Sequence, residues 1–232
     1  MCGRFTIAIS VGFYDRFRLR KDTTPTITSH FNITPGQDIP VILQETEEYR
    51  NLVLVRWGLI PSWSRDILHG HHPVNARGES LNDKPMFSSL VQDRRCLIPA
   101  SGFFEWKKAG RLKIPYYIHR KDDALFAFAG LYDIWRAGNE PLYSCTIITT
   151  EPNRVVAPLH DRMPAILCRD DEDLWLGKGG LDKSCLARVL SPYPEEELEA
   201  YQVSRRVNDT SQDSVEIITP WKGESLILEE GV

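Results

Sequence analysis

Apolar and polar positions change places in short runs along this chain. Leu52–Trp57, Arg95–Pro99, Tyr116–His119, Leu125–Gly130, Tyr143–Thr149 and Val215–Thr219 are rich in β-branched and aromatic residues. Each is bounded by turn formers, which predicts strands. Helical spacing is rarer. Val11–Leu19 sets Phe13 and Phe17 four apart on one face, with Ser10 placed as N-cap. Asp171–Leu176 and Lys183–Leu190 read as a helical pair, the second capped by Asp182. Glu195–Ala200 reads as a short helix after the break at Pro192 and Pro194. Strands outnumber helices and do not alternate strictly with them. That pattern favours an α+β domain, mostly antiparallel and barrel-like with a few peripheral helices, over a doubly wound sheet. No long-period repeat and no Pro/Gly/Ser-rich linker divides the sequence. One domain is expected over residues 1–232, with roughly the last dozen residues as a tail.

Composition narrows the class. The 232 residues are 42% hydrophobic and 26% charged, as in an ordinary globular protein, and a chain this long buries a sizeable core without disulfides or metal. A net charge of −4 argues against a general coater of duplex DNA, while leaving room for a local basic groove. The cysteines at 2, 96, 145, 168 and 185 are odd in number and contain no CxxC pair, so reduced thiols are expected. No run approaches the ~18 apolar residues of a membrane span. The amino-terminal residues Met-Cys-Gly-Arg-Phe lack the apolar stretch of a secretory signal, so a cytoplasmic location is expected.

Four clusters could carry chemistry. Removal of Met1 would make Cys2 a 1,2-aminothiol. Its α-amine would titrate near ~7.7–8.0 and be partly nucleophilic at neutral pH, unlike a lysine near ~10.4. Such an amine forms a Schiff base with an aldehyde, and the thiol can then close a thiazolidine. Taken alone, Cys2 also fits an unremarkable terminus. In Asn75-Ala-Arg77-x-Glu79 the amide and guanidinium could hold an oxygen and a phosphate, or form a turn with a surface arginine. In Ser101-Gly-Phe-Phe-Glu105-Trp106, alternation puts Phe103 and Glu105 on one face and Phe104 and Trp106 on the other. Apolar neighbours would raise the Glu105 pKa and suit it to proton transfer; the alternative is an edge-strand glutamate paired with Lys107 or Lys108. His160 lies in the Pro-bounded loop Pro158-Leu-His160-Asp161-Arg162-Met-Pro164, as a proton carrier beside a phosphate-binding Arg162 or as part of a capping turn. Trp57 and Trp63 could stack on bases or pack in the core. The His69, His71 and His72 group lacks a carboxylate or cysteine at ligand spacing and reads as a solvated loop.

Each signal is weak alone, but their combination and order are specific. The chain resembles the SOS-response-associated peptidase (SRAP) family of abasic-site crosslinking proteins. The resemblance rests on Met1-Cys2-Gly3-Arg4-Phe5, Phe31-Asn-Ile-Thr-Pro35-Gly36, Arg56-Trp-Gly-Leu-Ile-Pro61-Ser-Trp63, Asn75-Ala-Arg77-x-Glu79, Cys96 to Trp106, Thr149-Thr, His160-Asp-Arg162-Met-Pro164 and Val203-Ser204. Where some relatives carry a second tryptophan after Trp63, this chain has Ser64. The resemblance implies a β-rich fold with a basic groove that acts on abasic sites in single-stranded DNA or at single/double-strand junctions; separately, a monomer is expected. It implies Cys2 as covalent nucleophile, Asn75 orienting its amine, Glu105 as general acid/base and His160 assisting sugar opening. Arg4, Arg77 and Arg162 would contact phosphates, and Trp63, Thr149 and Ser204 would complete the DNA surface. Self-cleavage releasing Met1 is also implied. The expected chemistry needs no metal or organic cofactor. A cysteine peptidase acting in trans and a non-covalent single-strand binder are the competing readings.

Overall fold

Thirteen strands and five short helices form among the described residues, which in this computed structural model are 2–20, 25–44, 46, 48–65, 67, 70–138 and 140–223. The strands are β1 Phe5–Ile7, β2 His30–Ile33, β3 Asp38–Gln44, β4 Arg50–Trp57, β5 Asn75–Arg77, β6 Arg95–Ala100, β7 Gly102–Ala109, β8 Leu112–Arg120, β9 Phe126–Trp135, β10 Leu142–Thr150, β11 Met163–Pro164, β12 Ile166–Leu167 and β13 Leu198–Gln202. The helices are α1 Phe13–Arg16, α2 Pro85–Ser88, α3 Leu90–Asp93, α4 Glu172–Leu176 and α5 Lys183–Val189.

Two sheets share the work. One runs β13-β8-β7-β1-β2. In the other, β10-β4-β3-β6-β9 closes on itself because β9 also pairs with β10, giving a five-stranded barrel with no open edge in the ring. Most pairs are antiparallel; β10 runs parallel to β4 and β5. The two-residue period of β7 explains how the sheets pack. Phe103 joins the main core, while Phe104 joins a second cluster with Tyr117, Val203, Val207 and Ile217. The first sheet thus has the barrel on one face and the carboxy-terminal segment on the other. Phe5 fills the seam, its ring edge-on to Trp57 at 5.3 Å and to Phe128 at 5.7 Å. Gly102 has to be glycine: a Cβ there would lie 2.3 Å from the Tyr117 ring.

The expected α+β class and the barrel hold. The strands expected from Leu52, Arg95, Tyr116, Leu125 and Tyr143 all form, most of them longer than expected. Phe13 and Phe17 do meet, with ring centroids 5.2 Å apart, but α1 is a single turn entered through Gly12 at φ 95°. Asp182 caps α5 by accepting from the Cys185 amide at 2.8 Å.

Three expectations fail. Ser10 does not cap α1, whose N-cap is Gly12 with no side-chain bond to the helix. Val215–Ile218 is a 3₁₀ turn, not a strand, and it inserts Ile217 into the second cluster. Glu195–Glu197 is a 3₁₀ turn and Leu198–Gln202 a strand, because ladder bonds to β8 outweigh the helix propensity of this glutamate-rich run. Residues 224–232, most of the expected tail, and His69 lie outside the described residues.

Candidate active site

Cys2 enters just ahead of β1 and is fully buried, at 0% exposure. Its carbonyl accepts a 2.8 Å hydrogen bond from Asn75 Nδ2, at the start of β5. Pairing of β5 with β10 fixes Asn75 opposite Ile147 and Arg77 opposite Thr149. Asn75 Oδ1 is buried without a hydrogen-bond partner. Such an orphaned acceptor is uncommon in native proteins and marks a place where an amine or hydroxyl donor fits.

Glu105 lies on β7 opposite Tyr116 of β8, just past the pairing of β7 with β1, and its burial excludes the alternative of a solvent-facing edge-strand glutamate. It is 3% exposed. Burial pushes its carboxyl up to about 7, against the opposing pull of the positively charged amino terminus. Burial also holds the Cys2 thiol far above its ordinary value, and the Glu105 charge adds to the effect. Cys2 is therefore a protonated thiol beside a carboxyl that titrates near neutrality.

His160 is set by a turn that sequence reasoning missed. Buried Asn153 accepts from the Val155 and Val156 amides at 3.2 and 3.1 Å and donates to the Tyr193 carbonyl at 2.8 Å. The Val156 carbonyl in turn accepts from the His160 amide at 3.0 Å. The detectable signal was an Asn just after a proline at a strand end. His160 Nδ1 accepts from the Arg162 amide at 3.0 Å, which leaves the proton of the neutral ring on Nε2. Asp161 Oδ1 lies 2.8 Å from the same Nδ1, a contact that favours the charged ring. Burial lowers the His160 pKa, aided by the amino terminus, so we assign the neutral form at neutral pH. Glu105 and His160 both sense the amino terminus and Asp161, so they occupy one electrostatic neighbourhood with Cys2.

The expected nucleic-acid contacts divide. Trp63 is 69% exposed on the turn that follows Pro61, whereas Trp57 is core, its Nε1 donating to the Val74 carbonyl at 2.9 Å. Arg77 is exposed. Arg162 makes a bidentate pair with Glu79 at 2.7 and 2.9 Å and donates to the Thr149 carbonyl at 2.6 Å. A phosphate reaching its fork would have to displace Glu79. Thr149 is fully buried and donates to the Ala76 carbonyl at 3.4 Å, so its hydroxyl supports β5 from below. Arg4 donates to Asn32 Oδ1 and the Val207 carbonyl and lies 5.6 Å over the Trp106 ring. Ser204 caps the adjoining turn by accepting from the Arg206 amide at 3.3 Å, with Arg205 and Arg206 exposed. Basic groups therefore gather as two flanks, Arg4 with Arg205 and Arg206 at the Val207 turn, and Arg77 with Arg162 at Thr149 of β10. Among the described residues, no group of three His, Cys, Asp or Glu side chains is placed to hold a metal. No helix among them is long and apolar enough to cross a membrane.

Comparison with known proteins gives this arrangement its class. The SOS response associated peptidase (SRAP) family matches residues 1–210, and the chain belongs to that family. It is 42% identical over 227 residues to the abasic site processing protein YoqW of Bacillus subtilis (strain 168), covering 94% of this chain and 99% of that one. It is 31% identical over 232 residues to the abasic site processing protein HMCES of Xenopus tropicalis, covering 84% and 69%. A crystal structure of a protein from Bacteroides thetaiotaomicron has the same fold, with a TM-score of 0.86 at 28% identity, covering 95% of this chain and all of that one.

Proposed function

We propose that this chain processes abasic sites in single-stranded DNA by covalent capture on Cys2. Loss of Met1 frees the amine, and the peptidase in the family name fits self-cleavage of the Met1–Cys2 bond. The amine adds to the ring-opened aldehyde of the lesion. Glu105, protonated, gives its proton to the departing hydroxyl, and one water leaves as the Schiff base forms. The Cys2 thiol then passes its proton back to the Glu105 carboxylate while sulfur closes on the same carbon. A thiazolidine results and Glu105 is restored. His160, neutral with a proton on Nε2, moves the proton that opens the deoxyribose. Asn75 holds the Cys2 backbone and offers Oδ1 to the amine or to a sugar hydroxyl. The basic flanks carry the phosphates, and Trp63 offers a stacking face. Arg162 and Thr149 act chiefly as positioning residues, and Ser204 shapes the flank.

The observation that carries this reading is a fully buried Cys2, its carbonyl held by Asn75 and its thiol raised by burial and by the charge of Glu105, a carboxyl that titrates near 7. The same observation speaks against a thiolate peptidase acting in trans, which needs a lowered thiol pKa. The test mixes Met1-processed protein with a single strand carrying one abasic site and resolves the products on a denaturing gel. The expected adduct needs the lesion and vanishes with Cys2→Ala. Strong, salt-dependent binding that is indifferent to Cys2→Ala, with no adduct, would leave a passive binder.

A further inference from the structure

The basic flank at Arg77 borders a cleft. Arg77, Ser80, Lys84 and Arg162 line this open cleft of about 380 Å³, and Arg77 and Lys84 are exposed. Glu79 and Glu151 form the wall that this cleft shares with a second cavity of about 410 Å³. The second cavity has a different character. Leu186, Ala187 and Leu190, on and just after α5, make it apolar, while Asn82, Asp83, Glu151 and Lys183 stand around it.

We propose that this second cavity is a nucleobase subsite, holding the base of a nucleotide near the lesion while that strand's phosphates lie over Arg77 and Lys84. The inference rests on the single-stranded DNA reading of the Cys2 site. Three features point to this occupant. The first is continuity: Glu79 borders both cavities and grips Arg162, two residues from His160. The second is shape and polarity. A base has apolar faces and a polar edge, and a splayed single strand presents both to a protein. A leucine-lined cavity with an amide and carboxylates around it matches that division, and its volume falls in the range of about 300–1,000 Å³ that suits small ligands. The third is charge. Glu79 is already engaged by Arg162, but Asp83 and Glu151 outnumber Lys183 around this cavity and repel a phosphate, which belongs on the Arg77 and Lys84 side. As acceptors they favour bases whose edge carries an amino group, so cytosine, adenine or guanine should be held better than thymine.

The test is equilibrium binding of a short single strand in which a tetrahydrofuran replaces the abasic sugar. That analogue has no aldehyde, so affinity is read apart from covalent capture. A second tetrahydrofuran is then walked through the neighbouring positions. One position should lose about tenfold in affinity, the scale of one stacked base. Thymine there should bind more weakly than cytosine, and Asp83→Asn should narrow that difference. Ala187→Trp, at an exposed position, should cause the same loss with the full strand and no further loss when that base is already missing. Equal affinity at every position, independent multiplication of the Ala187→Trp and base-removal effects, or no binding at all would overturn the subsite. Tight, position-dependent binding by a protein that forms no adduct with a true abasic site would overturn covalent capture and leave the subsite standing.

Discussion

Replacing Glu105 with glutamine keeps the shape of the side chain and removes its titration. The carboxyl titrates at about 7 in the fold, against an ordinary 4.5. Its folded pKa is raised, so the stability associated with the neutral form is fully present below pH 4.5 and is lost as pH climbs through 7. At ~1.4 kcal/mol for each pH unit of difference, that gap corresponds to ~3 kcal/mol. Solvent screening takes little from this figure, because the residue is 3% exposed. Wild type should therefore lose ~3 kcal/mol relative to Glu105→Gln between pH 4.5 and 8, equivalent to roughly 6–12 °C in Tm for a chain of this size. Urea unfolding of both proteins at several values from pH 4.5 to 9 measures the difference directly. It should be small at pH 4.5, grow through pH 6 to 7 and level off near pH 8. A difference that stays flat across this range would refute the claim that burial perturbs this carboxyl. The same variant should slow adduct formation most at the pH where the wild-type group is half protonated.

Other expected outcomes follow from the same geometry. Cys2→Ser keeps the amine but lacks the sulfur that closes the stable ring, so its adduct should be trapped by borohydride and lost without it. Trp63→Ala should weaken single-strand binding by ~1–3 kcal/mol with no change in thermal stability, read by fluorescence anisotropy and calorimetry. Gly102→Ala pushes a Cβ into the Tyr117 ring and should destabilise the fold by about 1–3 kcal/mol, measured by denaturant unfolding.

Much of the barrel was legible because its strands are short apolar runs between breakers. Leu52–Trp57 and Tyr143–Thr149 bury side chains in a closed ring, and their composition announces it. The failures have a common cause. Val215–Thr219 has strand composition, but the segment is anchored by Ile217, with Ile218 packed beside it, and winds into a turn. Leu198–Gln202 lacks a strand pattern and becomes one because β8 offers it a ladder. Three-residue β1 and β5 are too short to show a period, yet they place Cys2 and Asn75. For the site, chemistry was legible and context was not. Alternation along β7 correctly separated Glu105 from Phe104. Nothing local in Thr149 said that it would be buried, nor in Arg162 that Glu79 would hold its fork. Asn153 offered only its place after a proline at a strand end and Lys84 only ordinary loop composition, and their positions become meaningful only when distant segments meet.

The most direct test of the central claim is the mass of the adduct. Intact mass spectrometry, followed by peptide mapping, should find the protein without Met1 joined to the abasic strand with loss of one water, and should locate the linkage on Cys2. An adduct on a lysine, an adduct retaining Met1, or the absence of any adduct from fully processed protein would contradict covalent capture by the amino-terminal cysteine.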